Sequence, residues 1–119
     1  MDNPLSAEDT KLITLARATR ARVGADQGAA VRDRDGRTYA AATVELPSLR
    51  LSAVQVCVAM AYASGSSGLE AAVALGTHGD SAEGELAEAD LAVLRDFAGG
   101  ECLVHLADPK GTVITSQTL

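Results

Sequence analysis

Few side chains in this sequence offer a transition metal an imidazole nitrogen or a thiolate sulfur. They are Cys57, His78, Cys102 and His105. Cys102 and His105 lie three positions apart in a segment with strand character, so their side chains point to opposite faces and do not chelate one ion. We expect both cysteines to be core thiols, His78 to lie in an exposed loop, and His105 to be a hydrogen-bonded strand residue. These four residues therefore predict no metal site.

The polar residues that remain do not form a recognisable catalytic motif. Glu83, Glu85, Glu88 and Asp90 cluster around a predicted helix start, where stabilisation by the helix dipole explains them better than acid–base chemistry. The Ser-Gly-Ser-Ser-Gly run at 64–68 lacks the lysine and the strand–loop–helix setting of a phosphate-binding loop. No Gly-x-Ser-x-Gly motif is present, and no Ser-His-Asp set follows from the order of residues.

Composition narrows the class of protein. With 119 residues, 47% of them apolar, we expect one domain over residues 1–119. A net charge of −6 argues against nucleic-acid binding, and no apolar run predicts a membrane span. Two cysteines are too few for a disulfide framework, and the first residues lack a signal-peptide pattern. We therefore expect a cytoplasmic protein.

Hydrophobic spacing and turn residues predict the element order α-β-β-α-β-α-β-β. Ser6 caps a first helix whose apolar stripe is Leu12, Leu15, Ala16 and Val23, with Ile13 at its edge. An Asp-Gly turn at 33–36 predicts a hairpin whose second strand, residues 37–45, ends before Pro47.

The second half of the chain supplies the remaining elements. Residues 52–63 predict a helix that is apolar almost all round and deeply buried. The predicted order is completed by a strand at 69–75, a helix from Glu85 to Phe97, and two strands at 102–107 and 112–115.

Four segments resemble the cytidine deaminase family. They are residues 28–45, residues 51–60, Phe97-Ala-Gly-Gly and Leu106-Ala-Asp-Pro-Lys-Gly. The resemblance spans roughly residues 10 to 118. It implies an α/β fold with three layers, α/β/α, around a mixed five-stranded sheet.

The same resemblance implies where the family's zinc site falls, and the residues there are of the wrong types. The first zinc ligand falls on Val54 and the proton-shuttling glutamate on Val56. The second zinc motif, Pro-Cys-x-x-Cys, falls on residues 86–90, with Ala87 and Asp90 at the cysteine positions. Valine and alanine offer no lone pairs, and Asp90 alone does not bind zinc usefully. We therefore expect no metal, no cofactor and no catalytic residue.

One part of the family's sugar-binding motif, Asn-x-Glu, remains. Thr43 stands at the asparagine position, and Glu45 is kept. These two residues are either a remnant nucleoside contact or hydrogen-bonding groups that hold a neighbouring loop or subunit.

Three hypotheses for function follow. The first is a catalytically inactive family member that acts as an interaction or scaffold protein. As a small domain of a family that commonly forms homotetramers, it is expected to be a homo-oligomer, a dimer or tetramer. The second is a nucleoside-binding module without turnover. The third is an active hydrolase, a cytidine deaminase with an atypical site, which nothing among these residues favours because none generates a hydroxide nucleophile.

Overall fold

The computed structural model describes residues 5–76 and 86–119. In these ranges the chain forms three helices and seven strands. In chain order they are α1 (Ala7–Val23), β1 (Gln27–Asp33), β2 (Thr38–Ala42), β3 (Val44–Leu46), β4 (Leu49–Leu51), α2 (Ala53–Ala63), β5 (Leu69–Gly76), α3 (Glu88–Ala98), β6 (Leu103–Ala107) and β7 (Val113–Thr118).

A five-stranded sheet in the order β2-β1-β5-β6-β7 forms the centre of the fold. β5 and β6 run parallel, and the other neighbouring strands run antiparallel. The parallel pair needs a crossover connection, which contains α3. The predicted mixed five-stranded sheet is confirmed.

Two hydrophobic cores lie on the two faces of this sheet. Because successive strand residues face opposite sides, Ala29 and Val31 of β1 pack against the α2 and α3 side, whereas Ala30 packs against α1. The same alternation places Val104 and Leu106 of β6 on the α2 and α3 side. The predicted three-layer α/β/α arrangement is therefore confirmed.

The first helix packs closely on the sheet, but through a different stripe from the one predicted. Its buried residues are Asp9, Leu12, Ile13, Ala16 and Thr19, whereas Leu15 and Val23 are exposed. The prediction followed apolar residues alone. The polar residues Asp9 and Thr19 belong to the buried face, and Asp9 is accommodated there because it has charged and hydrogen-bonding partners.

A glycine sets the distance between this helix and the sheet. A Cβ at Gly28 would lie 2.5 Å from the carbonyl oxygen of Ala16. Only a residue without a side chain allows α1 to approach β1 this closely.

The segment after the predicted hairpin departs from expectation. Residues 37–45 do not form one strand: β2 ends at Ala42, and β3 pairs with β4 in a separate two-stranded sheet. The chain leaves the main sheet at Thr43, whose Oγ1 accepts a hydrogen bond of 2.9 Å from the Gln27 backbone N–H. The turn between β3 and β4 contains Pro47, so this proline marks a hairpin that sequence patterns did not predict.

Two helices also differ from expectation. α2 is buried along one face, at Ala53, Val54, Cys57 and Ala61, while Tyr62 is 72% exposed. α3 begins at Glu88 and not at Glu85, because Ala87 has extended backbone angles and serves as the N-cap. Within α3, Leu94 is fully buried and Leu91 is half-buried.

The Asp-Gly turn between β1 and β2 forms as predicted, and buried Asp33 organises it. Its Oδ1 accepts hydrogen bonds from the backbone N–H groups of Asp35 and Arg37, both 2.9 Å, and its Oδ2 accepts one from the Ser66 hydroxyl. Burial alone would raise the pKa of Asp33, but these hydrogen bonds outweigh it and lower the pKa from its usual value. The turn is thus stabilised by hydrogen bonds that favour the ionised carboxylate.

Candidate functional site

A cleft of about 700 Å³ opens where the chain passes from β2 into the β3–β4 hairpin and then into α2. Its lining includes Gln27, Thr43, Glu45, Arg50 and Ser52. The cleft therefore contains both residues that the resemblance assigns to a remnant nucleoside contact.

Thr43 and Gln27 hold the inner wall of the cleft together. The Thr43 hydroxyl accepts a hydrogen bond from the Gln27 backbone N–H at 2.9 Å. The Gln27 side-chain carbonyl in turn accepts one from the Ala53 backbone N–H, the first of α2, at 3.1 Å. Thr43 thus performs a structural role, and its hydroxyl is engaged with the protein itself.

Glu45 is placed differently. It is exposed on β3, and its Cα partner across the hairpin is Arg50. A carboxylate and a guanidinium at the mouth of a cleft offer acceptors and donors to a polar ligand. Of the two predicted ligand residues, Glu45 is the one whose side chain is open to solvent.

The N-terminus of α2 is held by a capping box that also reaches α3. Ser52 Oγ accepts a hydrogen bond from the Gln55 N–H at 3.1 Å, and the Gln55 side chain accepts one from the Ser52 N–H at 2.9 Å. The Ser52 hydroxyl donates its own proton to Asp90 Oδ1 at 2.5 Å. One serine therefore caps α2 and joins it to the first turn of α3.

Asp90 is almost fully buried at this junction, with 2% of its surface exposed. It lies in the first turn of α3 and contacts the cap of α2, so the positive ends of two helices meet at one carboxylate. Helix N-termini stabilise negative charge. The Asp90 side chain therefore lies where the dipoles of both helices favour an acidic group.

Aliphatic groups fill the rest of the junction. Val54, the second residue of α2, is 2% exposed and packs in the larger core, with Val56 half-buried against the same cluster. Ala87 is the N-cap of α3 and makes no side-chain capping bond. Among residues 5–76 and 86–119, no three His, Cys, Asp or Glu side chains are grouped so as to hold a metal ion.

The two cysteine thiols are unreactive, and His105 lies on the other face of the sheet from this junction. Burial raises the pKa of Cys57 to about 12 and that of Cys102 to about 11, so neither is a thiolate near neutral pH. Cys102 packs in the core on the α2 and α3 side, whereas His105 bonds to Asp9 of α1, so the predicted opposite orientation is confirmed. His78, Glu83 and Glu85 lie outside the described residues.

The family assignment rests on a comparison with protein-family models. The model of the cytidine deaminase-like family matches residues 5–111. The chain belongs to this family. A comparison with curated proteins found no match.

Solved structures agree with this cytidine deaminase-like fold. Cytidine deaminase from Burkholderia pseudomallei is 24% identical with a TM-score of 0.75, covering 96% of this chain and 93% of that chain. The Mycobacterium leprae enzyme is 26% identical with a TM-score of 0.68, covering 95% and 94%. The Mycobacterium tuberculosis enzyme is 26% identical with a TM-score of 0.67, covering 83% of this chain and 85% of that chain.

No helix among the described residues is long and apolar enough to cross a membrane.

The residues at the helix junction do not fit the zinc ion that the resemblance implies. Tetrahedral protein sites use thiolate, imidazole or carboxylate ligands. Val54 and Ala87 have no donor atoms, and one oxygen of Asp90 already accepts the Ser52 hydroxyl proton. Of the side chains at these three positions, only the Asp90 carboxylate offers donor atoms to a cation.

Sequence reasoning identified Val54, Ala87 and Asp90 but missed Gln27 and Ser52. A signal for Ser52 exists in the sequence, because Ser-x-x-Gln at 52–55 is a capping-box pattern. The contacts of Ser52 with Asp90 and of Gln27 with Ala53 span 38 and 26 residues, and no local pattern predicts them.

The Ser52–Asp90 hydrogen bond is expected to stabilise the fold measurably. A double-mutant cycle of Ser52→Ala and Asp90→Ala, followed by urea unfolding at one fixed protein concentration, should give a coupling free energy of about 1 kcal/mol, as is typical for an intramolecular hydrogen bond.

A control cycle pairs Ser52→Ala with Glu88→Ala, which removes an exposed carboxylate from the same helix turn. The control coupling should be close to zero. Equal coupling in both cycles would show that the bond to Asp90 has no special role.

Proposed function

We propose that this chain is a cytidine deaminase-like protein that neither binds zinc nor deaminates cytidine, and that it acts as a homo-oligomeric interaction or scaffold protein. The observation that carries this proposal is the helix junction, where Val54, Val56, Ala87 and Asp90 stand at the positions that the resemblance assigns to the metal ligands and the proton carrier. Hydrolytic deamination needs an activated water and a group that moves protons, and these side chains supply neither.

The proposal extends to the organisation of the whole chain. Residues 1–119 form one cytidine deaminase-like domain that needs no cofactor and functions in the cytoplasm without nucleic-acid or membrane partners. The net charge of −6 supports the absence of a nucleic-acid partner.

Helix α2 supports self-association. It contains no charged residue, yet Ala59, Tyr62 and Ala63 on its outer face are exposed in the single chain. The ring of Tyr62 packs edge-on against Phe97 of α3 at 5.5 Å, which fixes it in place on that surface. A charge-free, partly exposed helix is typical of an interface that a second copy covers.

A substitution on the outer face of α2 tests this association. Ala59→Glu places a charge in the proposed interface and should shift the mass in light scattering from a dimer or tetramer to the single-chain 12.1 kDa. The matched control is Ala92→Glu, an exposed alanine in α3, which should leave the oligomer intact. A wild-type protein of 12.1 kDa at micromolar concentration would contradict the association itself.

A second candidate function is nucleoside binding without turnover, and the cleft favours it. Its volume of about 700 Å³ is within the range of small-molecule sites. Glu45 at its mouth is an exposed carboxylate able to accept hydrogen bonds from ribose hydroxyls. Thr43 contributes the wall, since its hydroxyl already bonds to Gln27.

Thermal unfolding with cytidine, deoxycytidine and uridine tests this candidate. A nucleoside present at about ten times its Kd stabilises the protein by about 1.4 kcal/mol, which corresponds to a rise in Tm of about 5 °C. Glu45→Gln should abolish the rise, whereas Glu8→Gln, an exposed control in α1, should keep it.

The same samples separate binding from catalysis. Cytidine absorbance should stay constant over hours, because no group at the junction activates water. If no nucleoside changes the Tm, nucleoside binding is ruled out and the scaffold function is the remaining candidate. If the cytidine absorbance falls, both candidates are overturned in favour of a deaminase with an atypical site.

A further inference from the structure

Three side chains form a continuous hydrogen-bonded line on the α1 face of the sheet, away from the cleft and the helix junction. His105 Nδ1 lies 2.6 Å from Ser116 Oγ, and His105 Nε2 lies 2.8 Å from Asp9 Oδ2. Asp9 and His105 are buried, with 3% and 2% of their surfaces exposed, whereas Ser116 is exposed. A serine, an imidazole and a carboxylate in this order are the parts of an activated nucleophile.

The sheet register places the serine beside the histidine. His105 and Ser116 are direct partners across the antiparallel strands β6 and β7. Cys102 and Leu119 exchange both backbone hydrogen bonds, so by alternation along the ladder His105 and Ser116 form a non-hydrogen-bonded pair. Side chains in such pairs lie closest together, so backbone geometry holds the contact.

The carboxylate fixes which imidazole nitrogen carries the proton. Asp9 lies in the first turn of α1, and its Oδ1 is 3.0 Å from Arg32 Nη2. Burial raises the pKa of Asp9, but the bonds to His105 and Arg32 outweigh burial and lower the pKa from its usual value. Ionised Asp9 only accepts hydrogen bonds, so in the neutral imidazole Nε2 donates and Nδ1 is left as the acceptor for the Ser116 proton.

Arg32 is in turn held by a second acid. Its Nε lies 2.6 Å from Glu70 Oε1, so the guanidinium is fixed between β5 and α1. This arrangement keeps the Asp9 carboxylate oriented toward His105 and leaves Ser116 as the solvent-facing end of the line.

The strand edge adds a further group that faces the serine. In a non-hydrogen-bonded pair the backbone N–H of Ser116 points away from β6, and within residues 5–76 and 86–119 no strand lies beyond β7. A carbonyl that approaches Ser116 Oγ along this edge meets that N–H, a donor for the developing oxyanion.

We propose that Ser116 is a nucleophile for acyl transfer from small activated carboxylic esters, with His105 as its general base and Asp9 as the positioning residue. Ser116 Oγ forms a bond to the ester carbonyl carbon as its proton passes to His105 Nδ1. The carbon–oxygen bond to the leaving group then breaks, and His105 returns the proton to the departing alcohol. Water releases the acyl group by the same route, so ester and water become acid and alcohol.

Covalent labelling with a fluorophosphonate probe tests the proposal, with mass spectrometry to locate the adduct. Fluoride leaves as the Ser116 Oγ–phosphorus bond forms, so a single adduct should appear on Ser116. Ser116→Ala should not be labelled. Thr115→Ala, an exposed neighbour whose side chain faces the other side of β7, should be labelled as the wild type is.

Labelling rates assign the two supporting roles. His105→Gln removes the base and should slow labelling by about 100-fold or more. Asp9→Asn should slow it by at least about 10-fold, because an amide no longer fixes the tautomer. Circular dichroism verifies that each variant is folded, so that the rate reports chemistry and not stability.

Hydrolysis of p-nitrophenyl acetate gives an independent readout. Ser116→Ala should reduce the rate to that of buffer, and Thr115→Ala should leave it unchanged. Since Ser116 is exposed, its alanine variant should keep the fold. The absence of an adduct on wild-type Ser116, or hydrolysis that Ser116→Ala does not change, overturns the proposal.

Discussion

The N-termini of α2 and α3 meet inside the protein. The residues that form the contact between these two helix ends determine how the rest of the site is arranged. Two positive helix ends brought together without a negative partner would destabilise the fold. Here the Asp90 carboxyl group lies between the two helix ends, and the Ser52 hydroxyl, which also caps α2, bonds to it at 2.5 Å. A hydrogen bond thus joins two elements that three thiolates and a cation are able to join in a zinc-binding protein.

This junction shows how the cytidine deaminase-like fold packs with aliphatic side chains at the start of α2. Val54 is buried among core residues, so aliphatic packing replaces buried charge at the start of α2. The wall of the neighbouring cleft is held by hydrogen bonds among Thr43, Gln27 and the Ala53 N–H. The cleft wall and the helix junction are therefore held by separate sets of contacts.

Local patterns were sufficient to predict much of the architecture. The Asp-Gly turn and the helix cap at Ser6 each depend on neighbours in sequence, and each forms as predicted. The buried stripe of α1 was mispredicted because burial of Asp9 depends on Arg32 and His105, which are distant in sequence. β2 was predicted too long because its end is set by the bond between Thr43 and Gln27 across 16 residues.

Contacts between residues distant in sequence also limited the prediction of the helix junction and of the Asp9–His105–Ser116 line. A family resemblance placed Val54, Ala87 and Asp90 at one location, but the partner that Asp90 contacts came only from the structure. The Asp9–His105–Ser116 line was not predicted, since its members come from α1, β6 and β7 and no spacing in the sequence relates them. Polar contacts between distant elements were the common source of error.

Metal analysis of the purified protein tests the central claim most directly. Protein expressed with added zinc should contain essentially none after gel filtration, by inductively coupled plasma mass spectrometry. The triple variant Val54→Cys, Ala87→Cys and Asp90→Cys serves as the positive control and should bind about one zinc ion per chain through three thiolates. About one zinc ion per wild-type chain would contradict a metal-free junction and the function proposed from it.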